Sequence, residues 1–496
     1  MLNRLPVAIL CLAVAAYAPA QPTSAYPDKL IHTPTPMPDR VILTFDGDPA
    51  TSQAVTWRTD PSVKTPLGQI AVATDGPEFD PKLGRNSTVN AEKVRTVPAT
   101  STPLKSDLNQ AVYHSVSFSG LEPKTKYVYR VGDGVNWCEW HQFRTASTRP
   151  EAFGFIYFGD AQNDVKRHWS RVARGAYSDM PNAAFIVHAG DLINTSNTDA
   201  EWGEWHSAAG WINGTVPNAP TPGNHEYYSR DSALGAAVGF AYAPGSQPRT
   251  KRSLSRHWNP QFTLPRNGPP GLEESVYYFD YQGVRFISLN SNEQQVEQVQ
   301  WLEQVLKDNP HRWSVVTFHH PIYSPAKGRD NKTLRNLWRP VFDKYAVDLV
   351  LTGHDHTYGR TGIMREDDTL SGSQMRTTSG TVYCVSVSGP KLYELGTSQR
   401  MVSKAEKIQL YQLIHFKGDR LHYEARTAAG ELYDEFELRK QGNGKNLLLE
   451  RSELDAERQR GTGWRMSGRD ATFAATGMIA LAVGAWGVRR VFRNQS

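Results

Sequence analysis

Four apolar runs in this chain end on side chains able to bind metal ions. Residues 153–158 lead into Gly159-Asp160, residues 184–189 into Gly190-Asp191, residues 313–318 into His319-His320, and residues 347–352 into Gly353-His354. A fifth cluster, Gly223-Asn224-His225-Glu226, lies between the second and third. Two carboxylates, one amide oxygen and several imidazoles make a mixed oxygen and nitrogen donor set, which suits Zn, Mn or Fe better than Ca or Mg. Thiolates are absent from it. Two cations about 3.5–4 Å apart can share a carboxylate, and they lower the pKa of bound water from ~15.7 towards neutrality, which gives a nucleophile at mild pH without a separate side-chain base.

The elements that must carry these groups are written in the runs themselves. About six consecutive apolar residues rich in Val, Ile and Phe predict a strand buried on both faces. Such strands present ligands just past their carboxyl ends, on loops held by a rigid sheet. Glycine beside Asp160, Asp191, Asn224 and His354 predicts tight turns that need positive φ or close backbone approach. A lone Gly-Asp is a common turn pair with a structural reading. Gly353-His354-Asp355-His356 is more specific, because alternate imidazoles of an irregular turn can reach two adjacent ions. All five clusters in this order predict that Asp160, Asp191, Asn224, His319, His354 and His356 meet in one centre.

On these motifs the chain resembles the purple acid phosphatase branch of the metallophosphoesterases (the calcineurin-like phosphoesterase superfamily), over roughly residues 38–438. The family pattern GD, GDxxY, GNH(D/E), xxxH and GHxH reads here as GDAQ, GDLIN, GNHE, VTFHHP and GHDH. The resemblance implies an α/β (α+β) fold, a four-layer αββα sandwich, preceded by an all-β fibronectin type III-like domain. It further implies hydrolysis of phosphate monoesters by a metal-bridging hydroxide at a dinuclear centre. Asp160, the bridging Asp191 and His356 would hold one ion, and Asp191, Asn224, His319 and His354 the other. His225 would bind phosphate and protonate the leaving group. A histidine near its reference pKa of about 6.5 would be charged below neutrality, favouring an acidic optimum. His320 is open between substrate contact and a supporting role. The family's iron-binding tyrosine falls at Asn194, which cannot supply a phenolate, so the pair of ions is left open among Fe, Mn and Zn. Gln162 stands where the wider superfamily often has a histidine ligand; orienting a ligand or water is preferred to ligation. A nucleotidase or phosphodiesterase on the same scaffold is the alternative. A surface binding protein with a vestigial site is disfavoured by the intact set of two Asp, one Asn and three His.

Around the centre, residues 40–45, 54–59, 113–118, 126–132 and 137–144 read as short strands of a sandwich spanning 37–146. Trp57 and residues 121–133 carry its fibronectin type III-like resemblance. A polar linker at 147–151 leads to a catalytic domain over 152–438. Residues 293–307 predict a helix with Val296, Val299, Leu302, Val305 and Leu306 on its core face, and residues 331–345 a second helix. Residues 380–387 and 421–426 read as further strands. The stretch 229–274 reads as a long loop near the centre, where Arg249, Lys251, Arg252 and Arg256 suggest either attraction of an anionic ester or a solvated basic loop.

The ends carry their own signals. Residues 1–20 read as a secretory signal peptide, so an exported protein is expected. A polar stalk is expected over 439–470, and residues 471–488 as a membrane anchor in preference to a buried helix, though a cleaved sorting signal has the same appearance. The arginines following that run disfavour a GPI signal. The formal charge of +5 resides at the ends: Arg4 supplies one, and residues 445–496 hold nine basic and five acidic side chains, which leaves 21–444 neutral. No nucleic-acid-binding domain is indicated. Once Cys11 leaves with the signal, Cys138 and Cys384 can either pair or stay as buried thiols. The expected partner is a phosphate ester; oligomeric state is not legible.

Overall fold

The computed structural model describes residues 26–77, 79–80, 94–229, 252–364, 380–398, 400–442 and 445–461. The expected signal peptide, the 471–488 anchor, Arg249 and Lys251 lie outside the described residues.

Two sheets stacked face to face form the centre of the catalytic region. In the first, strand Phe153–Phe158 pairs in parallel with Ile186–His188 and antiparallel with Leu410–Lys417. Ile186–His188 in turn pairs in parallel with Asn218–Pro220. In the second, Val284–Ser288, Trp313–Thr317, Leu349–Thr352 and Thr381–Val385 are parallel neighbours. Period-2 alternation explains the unbroken apolar runs. Val315 and Leu351 point into the core between the sheets with Phe155 and Phe286, whereas Val316 and Val350 point outwards under helices. Helices Ser170–Asp179 and Asp199–Ala209 cover the first sheet, and Glu297–Lys307 and Lys332–Lys344 the second. The result is the expected four-layer αββα arrangement.

The amino-terminal β-module packs Leu43, Val55, Trp57, Phe118, Tyr129 and Phe143 between two sheets. Strands Leu67–Val72, Arg95–Pro98 and Thr100–Lys105 complete it and were not legible as strands. Its junction with the catalytic region is tighter than a linker suggests. Strand Asp39–Thr44 pairs in parallel with Asn218–Pro220, so one sheet runs through both units. Arg40 and Arg58 reach across to Asp199 at 2.8 and 3.3 Å, all three side chains being buried. Ser147, in the supposed linker, donates its backbone N–H to Gln282.

Three further expectations are corrected. Val296 is 67% exposed, because helix Glu297–Lys307 begins only after it and buries Leu302, Val305 and Leu306. The polar stalk is in part folded: strand Asn446–Glu450 extends the first sheet beside Leu432–Lys440, and helix Arg451–Gln459 packs back through buried Leu454 and an Arg439–Glu457 ion pair at 2.6 Å. The long loop holds structure too, strand Arg252–Leu254 pairing with Tyr227–Ser229 and helix Trp258–Gln261 following. Cys138 and Cys384 are buried and unpaired. Among the described residues no helix is long and apolar enough to cross a membrane.

Candidate metal centre

The carboxyl ends of both sheets deliver the six expected ligands to one buried cleft. Nε2 of His319 lies 3.1 Å from Asp191 Oδ2, 3.0 Å from Asn224 Oδ1 and 3.1 Å from His354 Nδ1. Nε2 of His356 lies 3.0 Å from Asp160 Oδ2. Asp160, Asp191 and His319 offer ligand atoms within 4.8 Å of one another, as do His319, His320 and His354.

Local backbone explains the glycines. Gly190 takes φ +87°, and a methyl group there would sit 2.7 Å from His319 Nδ1. Gly223 and Gly353 are needed for close approach instead: a Cβ on either would overlap the Oδ1 of Asp191 or Asp160 respectively. Asp191, His354 and His356 themselves adopt left-handed φ of 51°, 71° and 47°. Such backbone strain is characteristic of functional sites held by their surroundings.

Backbone carbonyls set the imidazole tautomers. His319 Nδ1–H donates to the Ala189 carbonyl at 2.9 Å and His356 Nδ1–H to that of Lys391 at 2.7 Å, which leaves each Nε2 lone pair facing the cleft. The acids are fixed as firmly, Asp160 Oδ1 accepting the His354 N–H at 2.6 Å and Asp191 Oδ1 the His225 N–H at 2.8 Å. Asp160 Oδ2, fully buried, receives no hydrogen bond among the described residues. More lone pairs therefore converge than there are protons to separate them.

Electrostatics point the same way. Burial disfavours ionisation of Asp191, but His319 and His225 outweigh it and hold the carboxyl well below its usual range. Burial also opposes a proton on His319, yet Asp191 and Asp160 raise its pKa to about 9, so Nε2 sits where the carboxylates draw a cation, a proton or a metal ion in its place. His354 is pushed well below the ordinary imidazole value by burial and by His320 and His319, so its lone pair is free. This donor set favours positive charge at its centre and fits metal cations of the Zn, Mn or Fe type.

His225 and His320 flank the ligands. His225 Nδ1–H donates to the Asn194 carbonyl, leaving Nε2 3.9 Å from Asp191 Oδ2. Burial lowers its pKa, with Asp191 opposing, so the ring gains its proton at more acidic pH than a free imidazole would. That moves the sequence expectation for this group further to the acid side. The His320 ring centroid lies 4.3 Å from that of His354 with the planes tilted by 53°, and its Nδ1 meets Ser291 Oγ at 2.8 Å. Gln162 Nε2 contacts Asp191 Oδ2 at 3.0 Å and His356 Nε2 at 2.8 Å, a position suited to orienting both. Asn194 contributes its carbonyl, its side chain turning to Thr195.

Some partners had no role legible in the sequence. Glu226, fully buried, accepts the N–H groups of Asp191, Leu192 and Gly223 at 2.9, 2.8 and 2.6 Å and so ties two ligand loops together. Its pKa is pushed up to about 8 by burial and by Asp191. Glu226 adjoins His225 in sequence, but only the fold shows that it faces the neighbouring strand's loop. Tyr393 lies 4.6 Å from the His356 ring, brought from 37 residues beyond it by strand Thr381–Val385. Of the basic residues in the long loop, Arg252 is close enough to lower the His320 pKa. Arg256 instead donates to the Lys105 carbonyl in the amino-terminal module.

A model of the purple acid phosphatase N-terminal domain matches residues 38–145, and one of the calcineurin-like phosphoesterases matches residues 155–358. An uncharacterized protein of Mycobacterium tuberculosis is 27% identical over 364 residues, covering 65% of this chain and 62% of its own length. Acid phosphatase type 7 of Homo sapiens is 25% identical over 365 residues, covering 69% and 74%. The purple acid phosphatase from yellow lupin (Lupinus luteus) seeds shares the fold, with TM-score 0.67 at 17% identity over 82% of this chain and 75% of that one. The chain thus spans somewhat less than two thirds of the mycobacterial relative, at 62%.

Proposed function

The chain belongs to the calcineurin-like phosphoesterases, in their purple acid phosphatase-like branch, and on that premise we propose that it is an exported, metal-dependent phosphatase acting on phosphate monoesters. The observation that carries this reading is the convergence of six ligand side chains, with tautomers fixed by backbone carbonyls and lone pairs directed at common points.

Asp160, Asp191 and His356 would hold one ion, and Asp191, Asn224, His319 and His354 the other. Bound there, a pair of cations supplies Lewis-acid polarisation of the phosphoryl oxygens and acidifies water. The chain's own groups do the rest. Gln162 orients Asp191 and His356. Asn194 fixes the His225 ring so that Nε2 is the atom that carries a proton to the departing alkoxide. His320, buffered by Ser291 at Nδ1, leaves Nε2 for a phosphoryl oxygen. Burial of Asp160, Asp191, Asn224, His225, His319 and His356 keeps water from competing for their hydrogen bonds and strengthens the charge interactions among them.

Substituting Asp191→Asn in the metal-loaded protein tests the reading. Hydrolysis of an aryl phosphate is expected to fall by at least about a hundredfold, and undiminished hydrolysis would refute it. Comparing the aryl monoester, its bis-ester and ATP on the wild type assigns the leaving group; fastest turnover of either of the last two would move the function to a phosphodiesterase or nucleotidase. Export through residues 1–20 is tested by fractionating the full chain.

A further inference from the structure

We propose that Lys391 determines specificity by holding a second anionic group on the leaving-group side of the substrate, an inference that rests on the phosphatase reading above. Its backbone is locked to the centre, since the Lys391 carbonyl accepts His356 Nδ1–H at 2.7 Å. Two residues on, the Tyr393 N–H donates to the His356 carbonyl at 3.0 Å. The segment thus cannot drift from the ligand turn. The Tyr393 ring, 4.6 Å from His356, has the Lys391 ammonium 5.8 Å from its centroid and the Arg329 guanidinium 4.8 Å from it.

The two cations differ in what neutralises them. Arg329 donates to buried Asp355 at 3.2 Å and to the His354 carbonyl at 3.4 Å, so its charge supports the ligand turn. Lys391 has no carboxylate within ion-pairing distance among the described residues; its noted contact is the Tyr393 face. Held through Tyr393 beside His356, the ammonium borders the centre, and in a phosphate monoester the only place for a second anionic group is the departing alcohol. An ammonium without a carboxylate partner is open to pairing with an anion that enters beside it, and a charged group on the departing alcohol is such an anion.

The test pairs esters that differ only in that charge: phenyl phosphate and 4-carboxyphenyl phosphate, with the matching phosphonates as non-hydrolysed probes whose binding is measured by calorimetry. The wild type is expected to favour the carboxylated member about five- to tenfold in both kcat/KM and affinity at low salt, the upper part of the range of one ordinary hydrogen-bonded contact. Lys391→Gln should bring both ratios close to one, with metal content retained because the Lys391 carbonyl is untouched, and Lys391→Arg should keep most of the preference. Equal use of both members by the wild type, or a preference that survives Lys391→Gln, would overturn the inference while leaving the phosphatase reading intact. Failure of the wild type to hydrolyse either ester would overturn the phosphatase reading; the phosphonate ratio would then still decide the role of Lys391.

Discussion

Replacing Gly190 by alanine is the sharpest perturbation of the centre that changes none of the ligand residues. Gly→Ala at a permissive position stabilises by about 0.4–1 kcal/mol through the unfolded chain. Gly190 is not permissive. Its φ of +87° lies where an L-residue costs about 1–2 kcal/mol. The added carbon would also lie 2.6 Å from Gly223 N, 2.7 Å from Gly223 Cα and 2.7 Å from His319 Nδ1, each below the 3.0 Å that real contacts respect. Two of these neighbours are backbone of the Asn224 loop, and the third is a ligand ring held at 2.9 Å on the Ala189 carbonyl. Overpacking of this kind costs about 1–3 kcal/mol, so the expected loss is about 2–5 kcal/mol. Displacing His319 should also weaken metal binding by about 10–100-fold. Gly210→Ala is the internal control, with φ +57° and no atom within 4 Å of its Cβ, so it carries backbone strain alone. Thermal melts and metal content after dialysis against a weak chelator measure both effects. A Gly190→Ala protein that melts with Gly210→Ala and keeps its metals would refute the packing argument.

Other outcomes follow from the same contacts. Glu226→Gln, nearly isosteric, turns an amide N–H₂ towards backbone donors that now meet two carboxyl oxygens; it should lower stability by about 1–3 kcal/mol and loosen metal binding, read by melting and metal analysis, whereas wild-type values in both would refute the tie between the Asp191 and Asn224 loops. His422, clear of the metal centre, has its pKa raised to about 9: burial opposes the proton, but Glu424 and Glu435 at 3.3 and 3.2 Å outweigh it. Its contribution is therefore complete below its unfolded pKa of about 6.5 and declines as pH rises to about 9, on the order of 1–3 kcal/mol; His422→Gln should flatten the pH dependence of denaturant midpoints in that window, and an unchanged slope would contradict the assignment. Iron-loaded protein should lack a purple phenolate band, because Asn194 supplies no phenol and turns its side chain to Thr195; a strong band would implicate Tyr393, the ring against His356.

Five of the six ligands were legible because they follow doubly buried strands, and burial on two faces leaves an unmistakable apolar run in one dimension; Asn224, after the short strand Asn218–Pro220, was legible only from its Gly-Asn-His-Glu cluster. Helices Glu297–Lys307 and Lys332–Lys344 were legible from periodicity, although Val296 was placed on the core side because the pattern alone does not say where the first turn starts. Short edge strands such as Arg95–Pro98, mostly exposed, carry no such pattern. The stretch beyond Leu438 read as a stalk because its charges are plentiful, yet those charges pair: Arg439 with Glu457, and Arg458 with Glu435.

By itself, then, the sequence determined the donor atoms, their order and the strands that present them, since these depend on residue type and short-range spacing. Tertiary structure alone decided which lone pair of each imidazole faces the cleft, that Glu226 clamps two loops, that Lys391 and Tyr393 border His356, and that one sheet joins both units. Those facts rest on contacts between residues tens to hundreds of positions apart. Local pattern carries no record of such contacts, because they are selected by the packing of whole layers.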